Sequence, residues 1–226
     1  WVTAYGEDTA RAIAAQHLIE APLDITPKGD LAEWADELKA ELMPTGTLRL
    51  HGHKGPITEL PGFAEGAWWV QDIAASLPAR LLGDVRDLDV IDLCAAPGGK
   101  TMELAAAGAR VTAVDRSEKR LKRVAENLHR TQLHAKLVTA DAITWRPDFL
   151  ADAVLLDAPC SATGTARRHP DVVQLKQPGD VAKLAALQGR LLKAAIEMVR
   201  PGGLIVFCTC SLQPEEGAAQ IHALLQ

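Results

Sequence analysis

The second half of the chain alternates short apolar runs with segments whose apolar residues recur at helical spacing. The apolar runs have the length of buried strands and lie at 88–94, 110–115, 135–140, 152–158 and 202–209. The amphipathic segments lie at 99–108, 117–130, 181–199 and from 214 onwards. Short strands that alternate with helices are typical of βαβ units, whose parallel sheet is covered by helices on both faces. The pattern therefore predicts an α/β fold with a mostly parallel sheet.

The first part of the chain follows a different pattern. Helical spacing of apolar residues predicts helices at 6–20 and 28–42, each followed by a proline or by a short extended stretch such as APLDIT. Residues 51–66 are rich in Gly and Pro and have no period, as expected of a linker. We therefore predict a small α+β unit over residues 1–55 and a larger domain over residues 56–226.

Composition limits the possible classes of function. The chain of 226 residues is 48% hydrophobic and has a formal net charge of −5, which predicts a globular core and argues against coating nucleic acid through overall charge. It has no apolar run of about 18 residues and no secretory signal pattern, so we expect a cytoplasmic protein without membrane contact, and a monomer by default. The start at Trp1 and the stop within a helical pattern suggest a piece of a longer chain.

The segment LDVIDLCAAPGGKTMELAAA, at 88–107, has the features of a ligand site. The small residues of its turn, Pro97, Gly98 and Gly99, let the backbone approach a ligand, and the helix start can receive an anionic group. The turn lacks the GxGxxG order of dinucleotide-binding loops, so a pyrophosphate site is poorly supported. A plain tight turn is the alternative.

Acidic residues follow the next two strands. Asp115 ends the run 110–115, where a carboxylate would hold ribose hydroxyls, although it could equally cap the following helix. Asp141 comes after the third run and could reach an adenine edge or be a solvated loop carboxylate. With the Gly-rich turn, these strand ends point to a nucleoside without a pyrophosphate, which suggests S-adenosylmethionine as the cofactor.

Two cysteines follow the last two strands, in loops rich in Pro, Ser, Thr and Gly. Cys160 lies in DAPCSATGT and Cys210 in CTCSLQPEEG. Because neighbouring parallel strands place their carboxyl ends side by side, the two thiols can face one pocket. Cys94 and Cys208 lie within or at the ends of apolar runs and are interpreted as inert buried sulfurs.

Neither disulfides nor a metal site are favoured by the cysteine pattern. Four cysteines without framework spacing in a chain of this size predict free thiols. Cys208 and Cys210 form a C-x-C pair, but no second pair at ligand spacing occurs and His169 is the only nearby imidazole. A zinc site is therefore weakly supported, and we predict no metal.

A thiol beside a methyl donor suits a reaction at a pyrimidine. The C5 carbon of the ring is too weak a nucleophile to attack a methyl sulfonium unaided. A thiolate that adds to C6 turns the ring into an enamine, C5 takes the methyl group, and the thiolate leaves by elimination. A hydrogen-bond donor at N3 lowers the barrier to addition, and Asp157, next to the first cysteine loop, is the candidate for that role if its carboxyl is protonated.

The motifs together resemble those of the RNA (cytosine-5) methyltransferases of the Sun/Fmu type. In the family's order, and over about residues 60 to 217, the matching segments are FAEGAWWVQDIAASLPARLL, DLCAAPGGKT, AVDRSEKRLKRVAEN, DAPCSATGT with RRHPDV, and TCSLQPEEG. The resemblance implies a Rossmann-like methyltransferase fold. It also implies methyl transfer from S-adenosylmethionine to C5 of a cytosine in RNA, with ribosomal RNA favoured over transfer RNA.

The resemblance implies a role for each candidate site residue. Cys210 is implied to be the thiolate that attacks C6, Cys160 to act in release of the product from the covalent adduct, and Asp157 to lie beside the reacting base. The cofactor-binding residues that it implies are Ala96, Pro97, Gly98, Gly99 and Lys100 around the methionine part, Asp115 and Arg120 at the ribose and adenine end, Asp141 near the adenine, and Asp157.

Basic residues near the first cysteine loop are candidates for RNA contact. Arg167 and Arg168 directly follow that loop, so we expect them to contact phosphate, whereas most of KRLKR at 119–123 is expected to be a solvated helix face. The N-terminal unit is a further candidate for RNA contact, and its strand LDIT at 23–26 departs from the family's pattern, in which an Arg-containing strand that ends in Asn is common. Ala162 stands where members often have glycine.

A second function class is a non-catalytic module that binds S-adenosylmethionine or RNA on the same fold. The presence of Cys160, Cys210 and Asp157 together favours the enzyme. A methyltransferase acting on DNA or on a protein side chain is disfavoured, because such a site would not need the cysteine of the TCS motif.

Overall fold

The protein, analysed as a computed structural model, is described over residues 1–226 except for the side chain of Pro178. The chain divides into two compact units. Residues 22–156 and 195–206 form one, the sheet unit; residues 1–21, 157–194 and 207–226 form the other, the cysteine unit. The division predicted at residue 55 stays a prediction.

Helices and strands alternate along most of the chain. The helices are α1 (Val2–Tyr5), α2 (Glu7–His17), α3 (Leu31–Glu37), α4 (Ile73–Arg80), α5 (Gly99–Ala106), α6 (Glu118–Thr131), α7 (Val172–Leu175), α8 (Pro178–Ile196) and α9 (Ala218–Leu224). The strands are β1 (Leu23–Pro27), β2 (Glu41–Leu42), β3 (Leu48–Leu50), β4 (Trp68–Val70), β5 (Asp89–Leu93), β6 (Arg110–Asp115), β7 (Lys136–Thr139), β8 (Ala151–Asp157) and β9 (Val199–Cys208). Short 3-10 turns occur at Ile57–Glu59, Thr163–Thr165 and Pro214–Glu216.

The larger sheet confirms the predicted α/β class. Its strand order is β7-β6-β5-β8-β9, and β5 pairs in parallel with β6 and β8, as β6 does with β7. All five strands predicted from the apolar runs are present. The direction of winding reverses between β5 and β8, and the crevice at the carboxyl ends beside such a reversal is where ligands bind in open α/β sheets.

Two apolar clusters of the sheet unit hold helices against the larger sheet. One joins buried residues of α4, α5 and strands β5, β6 and β8, with Leu104 and Leu155 at its centre. The other packs Met102 of α5 against Val124 and Leu128 of α6. Because α5 takes part in both clusters, its first turn, which begins at Gly99, has a well-fixed position.

The smaller sheet is antiparallel and lies in the order β2-β3-β1-β4. Its apolar side buries Ile25, Leu48 and Trp68. The predicted helix at 28–42 differs from the structure, because α3 ends at Glu37 and Lys39 adopts a left-handed backbone conformation with φ 49°. The chain that follows forms β2 instead.

The FAEGAWWVQD motif attaches the smaller sheet to the end of α6. Arg130 donates from Nη1 to the carbonyl oxygens of Phe63 at 2.7 Å and Trp68 at 3.1 Å, and its guanidinium lies 4.3 Å from the centre of the Phe63 ring. Gly66 approaches the Arg130 carbonyl so closely that a side chain would overlap it. The motif is therefore a docking loop within the sheet unit.

The cysteine unit is held by helix α8 and by links to the first helices of the chain. Tyr5 donates from its hydroxyl to the Leu212 carbonyl at 2.8 Å. Arg167 donates to the carbonyls of Ile19 at 3.3 Å and Glu20 at 3.0 Å.

Across the described part of the chain, the helices are all too short or too polar to cross a membrane.

Candidate active site

The loop between β5 and α5 is built for close backbone approach. Cys94 follows the strand with φ 62° and Gly98 precedes the helix with φ 105°. A Cβ on Gly98 would lie 3.0 Å from the Val124 side chain. Glycine is required there both by the left-handed conformation and by the space, so the backbone of the loop can come close to a ligand at this point.

Asp115 and Arg120 form a polar cluster with this loop. The Asp115 carboxylate is 3% exposed and accepts from the Ser117 N–H at 2.9 Å and the Ala96 N–H at 3.3 Å. Arg120 Nη1 lies 3.3 Å from Asp115 Oδ2, and Arg120 Nη2 donates to the Ala96 carbonyl. Asn127 donates to the Pro97 carbonyl at 3.2 Å. Asp115 thus organises its own loop, whereas the N-cap of α6 is Ser117 and not Asp115, so the capping alternative is wrong.

Lys100, in α5, and Asp141, after β7, are the two remaining candidates for contact with the cofactor. Lys100 lies half-buried in the first turn of α5. Asp141 is exposed and accepts from the Ile143 N–H at 2.9 Å, and the residue before it donates to the Asp115 carbonyl at 3.1 Å. Asp141 therefore follows Asp115 at the edge of the sheet but makes the contact of an ordinary turn carboxylate.

This donor set fits a nucleoside that carries an amino acid. A carboxylate has about four acceptor sites. Three of those on Asp115 are taken by the Ser117 N–H, the Ala96 N–H and Arg120, so one ribose hydroxyl can still be bound. The Arg120 side chain that lies over Asp115 is 54% exposed, so it can move aside at little cost. The start of α5 carries the partial positive charge of a helix N-terminus, which suits a carboxylate.

A buried network behind α5 was not predicted from the sequence. Glu103 accepts from Gln71 Nε2 at 2.9 Å and pairs with Arg80 Nε at 3.1 Å. Gln71 Oε1 accepts in turn from Thr26 at 2.8 Å and Trp69 at 2.9 Å. Burial raises the pKa of Glu103 to about 7, although the Gln71 hydrogen bond and Arg80 act in the opposite direction. An acidic residue in an amphipathic helix gives no sequence signal of such burial.

In the cysteine unit, the sulfurs of Cys160 and Cys210 lie 3.4 Å apart. Cys210 is exposed and Cys160 is partly buried. The hydrogen bond to Cys210 raises the pKa of Cys160, and burial raises it further. Either sulfur can be the donor in this contact, and the raised pKa of Cys160 means that it holds its proton more tightly than an ordinary thiol.

The two cysteine loops are joined directly through their backbones. The Gly164 N–H donates to the Cys210 carbonyl at 2.9 Å, and the Leu212 N–H donates to Thr163 Oγ1 at 3.0 Å. A Cβ on Gly164 would lie 2.8 Å from the Cys210 carbonyl oxygen, which is too close for any side chain. The glycine of the DAPCSATGT motif is thus needed for the approach of the two loops.

Asp157 and Cys208 form a second contact in this unit. The Cys208 thiol donates to Asp157 Oδ1 at 3.6 Å. Cys208 and Cys94 are both partly exposed, so the expectation of two buried sulfurs is wrong in this respect. Cys94 directly follows β5 and Cys208 is the last residue of β9, so each lies where a polar loop begins and is partly in contact with solvent.

The predicted RNA-contacting arginines differ in their surroundings. Arg167 is engaged with the carbonyls of Ile19 and Glu20, a contact that stabilises the cysteine unit itself. Arg168 is half-buried next to it. In the part of the chain that the structure describes, no group of three or more His, Cys, Asp or Glu side chains is placed to hold a metal ion.

Glu216, which is fully buried behind the two cysteine loops, was not predicted from the sequence either. It belongs to the PEE segment, where its neighbour Glu215 is exposed. The only sequence feature that could have pointed to it is its position six residues after Cys210, within the TCSLQPEEG motif.

The chain is similar in sequence to curated ribosomal RNA methyltransferases. A ribosomal RNA small subunit methyltransferase B from Serratia proteamaculans is 49% identical over 175 residues, which are 75% of this chain and 41% of that protein. The protein of the same name from Vibrio cholerae is 45% identical over 175 residues, which are 75% of this chain and 40% of that protein. The chain thus spans less than half of the length of these curated relatives.

Solved structures share the fold over nearly the whole chain. A methyltransferase homologue from Pyrococcus horikoshii superimposes with a TM-score of 0.83 at 28% identity, covering 98% of this chain and 74% of that one. NSun6 from the same organism superimposes with a TM-score of 0.89 at 21% identity, covering 99% of this chain and 85% of that one, which shows a common fold. The Rossmann-like methyltransferase fold predicted from the motifs is confirmed.

A family model described as 16S rRNA methyltransferase RsmB/F matches residues 79–226, well over half of the chain. The matched region includes the β5–α5 loop, Asp115 and both cysteine loops. The chain belongs to the RsmB/F family of 16S rRNA methyltransferases, which confirms the predicted family and, with it, S-adenosylmethionine as the family's cofactor.

Proposed function

We propose that the chain transfers a methyl group from S-adenosylmethionine to C5 of a cytosine in small-subunit ribosomal RNA, through a covalent bond between Cys210 and C6. The family description and the names of the relatives support ribosomal RNA as the substrate. The observation that carries the covalent mechanism is the contact of 3.4 Å between the Cys160 and Cys210 sulfurs. A cofactor-binding module without catalysis has no need of two paired thiols.

The cofactor is proposed to bind at the β5–α5 loop. The segment Ala96–Lys100 receives the methionine part, with the carboxylate at the start of α5. Asp115 accepts a ribose hydroxyl in its remaining acceptor site, and Arg120 and Asp141 lie at the adenine end. When bound there, S-adenosylmethionine supplies an electrophilic methyl group.

Cys210 begins the reaction on the base. Its thiolate adds to C6, a C6–S bond forms, and the electrons of the C5–C6 double bond move towards N3 and O2. Asp157 is proposed to lie beside N3, where a hydrogen-bond donor stabilises the charge that develops. C5 is now a nucleophile and forms the new carbon–carbon bond to the methyl group.

Cys160 is proposed to complete the reaction. Before addition it donates a hydrogen bond to Cys210, which favours the thiolate on the exposed member of the pair. Once the Cys210 sulfur is bonded to C6 it is a weaker acceptor, so the main cause that raises the pKa of Cys160 is removed. The Cys160 thiol then releases its proton to solvent, and the resulting thiolate takes the proton from C5. The electrons of the C5–H bond form the C5–C6 double bond again, the C6–S bond breaks, and Cys210 leaves as a thiolate.

Covalent trapping tests this mechanism. Cys160→Ala protein is incubated with small-subunit ribosomal RNA and S-adenosylmethionine and run on a denaturing gel. We expect a protein–RNA band, because the adduct forms and is released slowly. Cys210→Ala is expected to form no band and to lose methyl transfer by on the order of 10⁴-fold, since the nucleophile is absent.

The double variant Cys160→Ala/Cys210→Ala is the control for the trapped band. Sequencing of the trapped RNA identifies the modified cytosine. A band with Cys210→Ala and none with Cys160→Ala would reverse the two roles. Absence of a band, with cofactor binding intact by calorimetry, would favour the non-catalytic module.

A further inference from the structure

The carboxylate of Glu216 lies fully buried behind both cysteine loops. Its Oε1 accepts from the Ser161 N–H at 2.9 Å and from Gln188 Nε2 at 3.2 Å. Its Oε2 accepts from the Ser211 hydroxyl at 2.6 Å and from the Ser161 hydroxyl. The roughly four acceptor sites of a carboxylate are therefore all used by donors of the cysteine unit.

The donors to Glu216 are the residues next to the two cysteines. Ser161 directly follows Cys160 and Ser211 directly follows Cys210, and the two hydroxyl oxygens are 3.0 Å apart. Each serine is one peptide bond from its cysteine, so a carboxylate that holds both serines limits the movement of both cysteine backbones. The distance between the sulfurs depends on those backbone positions.

Helix α8 supplies a rigid support for the carboxylate. Gln188 is fully buried in the middle of α8. Besides Glu216, its Nε2 donates to the carbonyl of Pro159 at 2.9 Å. The residue before Cys160 and the carboxylate behind it are thus tied to one amide group. The Thr209 hydroxyl also donates to the Glu216 carbonyl at 3.1 Å.

A buried carboxylate is costly when its partners are all neutral. Both oxygens of the Glu216 carboxylate can only accept hydrogen bonds, whereas an amide would also donate them. The hydroxyls of Ser161 and Ser211 must then both point at Glu216. This fixes the direction of two side chains that could otherwise rotate towards either cysteine loop or solvent.

We propose that Glu216 is a positioning residue that sets the contact between Cys160 and Cys210 by holding Ser161 and Ser211. The importance of that contact for methyl transfer rests on the function proposed above. The contact itself can be measured without RNA or cofactor, so the two proposals can fail separately.

The test is the alkylation of each cysteine by iodoacetamide as a function of pH, with mass spectrometry to assign the sites. In the unaltered protein Cys210 is expected to react faster than Cys160, which keeps its proton. Glu216→Ala releases both loops, and we expect the ratio of the Cys210 rate to the Cys160 rate at neutral pH to fall at least about fivefold.

Two variants separate position from charge. Glu216→Gln keeps an acceptor for the Ser161 N–H, and its amide can donate to the serine hydroxyls after they rotate, so the ratio is expected to change by less than about twofold. Glu215→Ala removes the exposed neighbour and is the matched control. It should leave the ratio unchanged.

Methyl transfer gives an independent readout. A positioning role predicts that Glu216→Ala lowers kcat at least about tenfold while KM for S-adenosylmethionine stays the same. If Glu216→Ala does not fold by circular dichroism, Ser211→Ala takes its place and is expected to move the alkylation ratio in the same direction.

A folded Glu216→Ala or Ser211→Ala protein with an unaltered alkylation ratio would overturn the positioning role. An unaltered protein that methylates no RNA would instead overturn the proposed function. In that case the alkylation ratios of the same variants still decide what Glu216 does.

Discussion

The cofactor loop and the cysteine pair are assembled in different ways. Contacts of the cofactor loop join residues close in sequence, such as Ala96 with Asp115, 19 positions apart. Contacts of the cysteine pair join residues far apart, such as Cys160 with Cys210, 50 positions apart, and Ser161 with Glu216, 55 positions apart. The first site follows from one strand-turn-helix segment and the strand after it. The second needs buried polar side chains that fix one loop against another.

The sheet unit also contains a side-chain contact between residues far apart in the sequence. It joins Glu103 of α5 to Gln71, 32 positions away. The folded-state pKa of Glu103 is about 7, above the ordinary value of 4.5. Its contribution to stability is therefore present below pH 4.5 and lost as the pH rises through about 7. Glu103→Gln stays neutral, so at pH 8 we expect it to be more stable than the unaltered protein by about 3 kcal/mol.

Urea unfolding of both proteins at pH 5 and pH 8 measures this difference. The two proteins should have nearly equal free energies of unfolding at pH 5. The difference between them should grow as the pH rises from 5 to 8. Glu126→Gln, a change at an exposed position of α6, is the control and should show no gap. An equal pH dependence in Glu103→Gln and the unaltered protein would mean that Glu103 is ionised in the fold without cost.

Two glycine-to-alanine changes compare how tightly each site is packed. A Cβ on Gly164 would lie 2.8 Å from the Cys210 carbonyl oxygen, whereas one on Gly99 would lie 3.8 Å from Gln71, an ordinary contact. We expect Gly164→Ala to lower the free energy of unfolding by about 2 kcal/mol. Gly99→Ala, in a helix, should change it by less than about 1 kcal/mol.

Thermal or urea unfolding measures the stability of the two variants. Gly164→Ala should also loosen the pair, so that Cys160 and Cys210 become more alike in alkylation rate. Equal stability of both variants would mean that the cysteine loops can separate without loss, which would remove the basis of the contrast.

The periodicity of the sequence was sufficient for the larger sheet and its helices. Strand β6 was predicted at 110–115 and forms at Arg110–Asp115, because its buried run and the following Ser117 cap are both local features. The end of α3 was missed. Lys39 takes a left-handed conformation that nothing in its residue type requires, and the chain leaves the helix to pair with β3.

Side-chain networks were beyond the sequence patterns for a similar reason. Glu103 and Glu216 are acidic residues in or next to helical segments, and their residue type does not distinguish them from the exposed Glu126 or Glu215. Their burial depends on donors supplied by distant elements, Gln71 in one case and Gln188 in the other. Cys160 and Cys210 were predicted to face one pocket, because neighbouring parallel strands place their loops side by side. Their sulfurs lie 3.4 Å apart, and a common pocket stays a prediction.

Asp115 tests whether the locally built site binds as proposed. Asp115→Asn keeps the size of the side chain but puts a donor where one oxygen accepts from the Ala96 or Ser117 N–H. We expect the Kd for S-adenosylmethionine to rise about tenfold, the cost of one hydrogen bond to a charged group. Calorimetry measures it, with Asp148→Asn, an exposed loop position, as control. An unchanged Kd would exclude Asp115 from the cofactor site.

The smallest expected effect concerns strain in the first cysteine loop. Ala162 has φ 59°, a left-handed conformation that costs an L-residue roughly 1–2 kcal/mol. Glycine removes that cost but adds freedom to the unfolded chain, worth about 0.4–1 kcal/mol. Ala162→Gly should therefore raise the free energy of unfolding by about 0.5–1 kcal/mol. The measurement is urea unfolding at constant pH.

Ala166 provides a control of opposite sign on the same loop. It has an ordinary helical conformation with φ −58° and is 2% exposed, so Ala166→Gly gains nothing from relief of strain and loses a buried methyl group. We expect Ala166→Gly to lower the free energy of unfolding by about 1 kcal/mol. If Ala162→Gly also lowered it, the loop would owe its shape to the packing of the Ala162 methyl group.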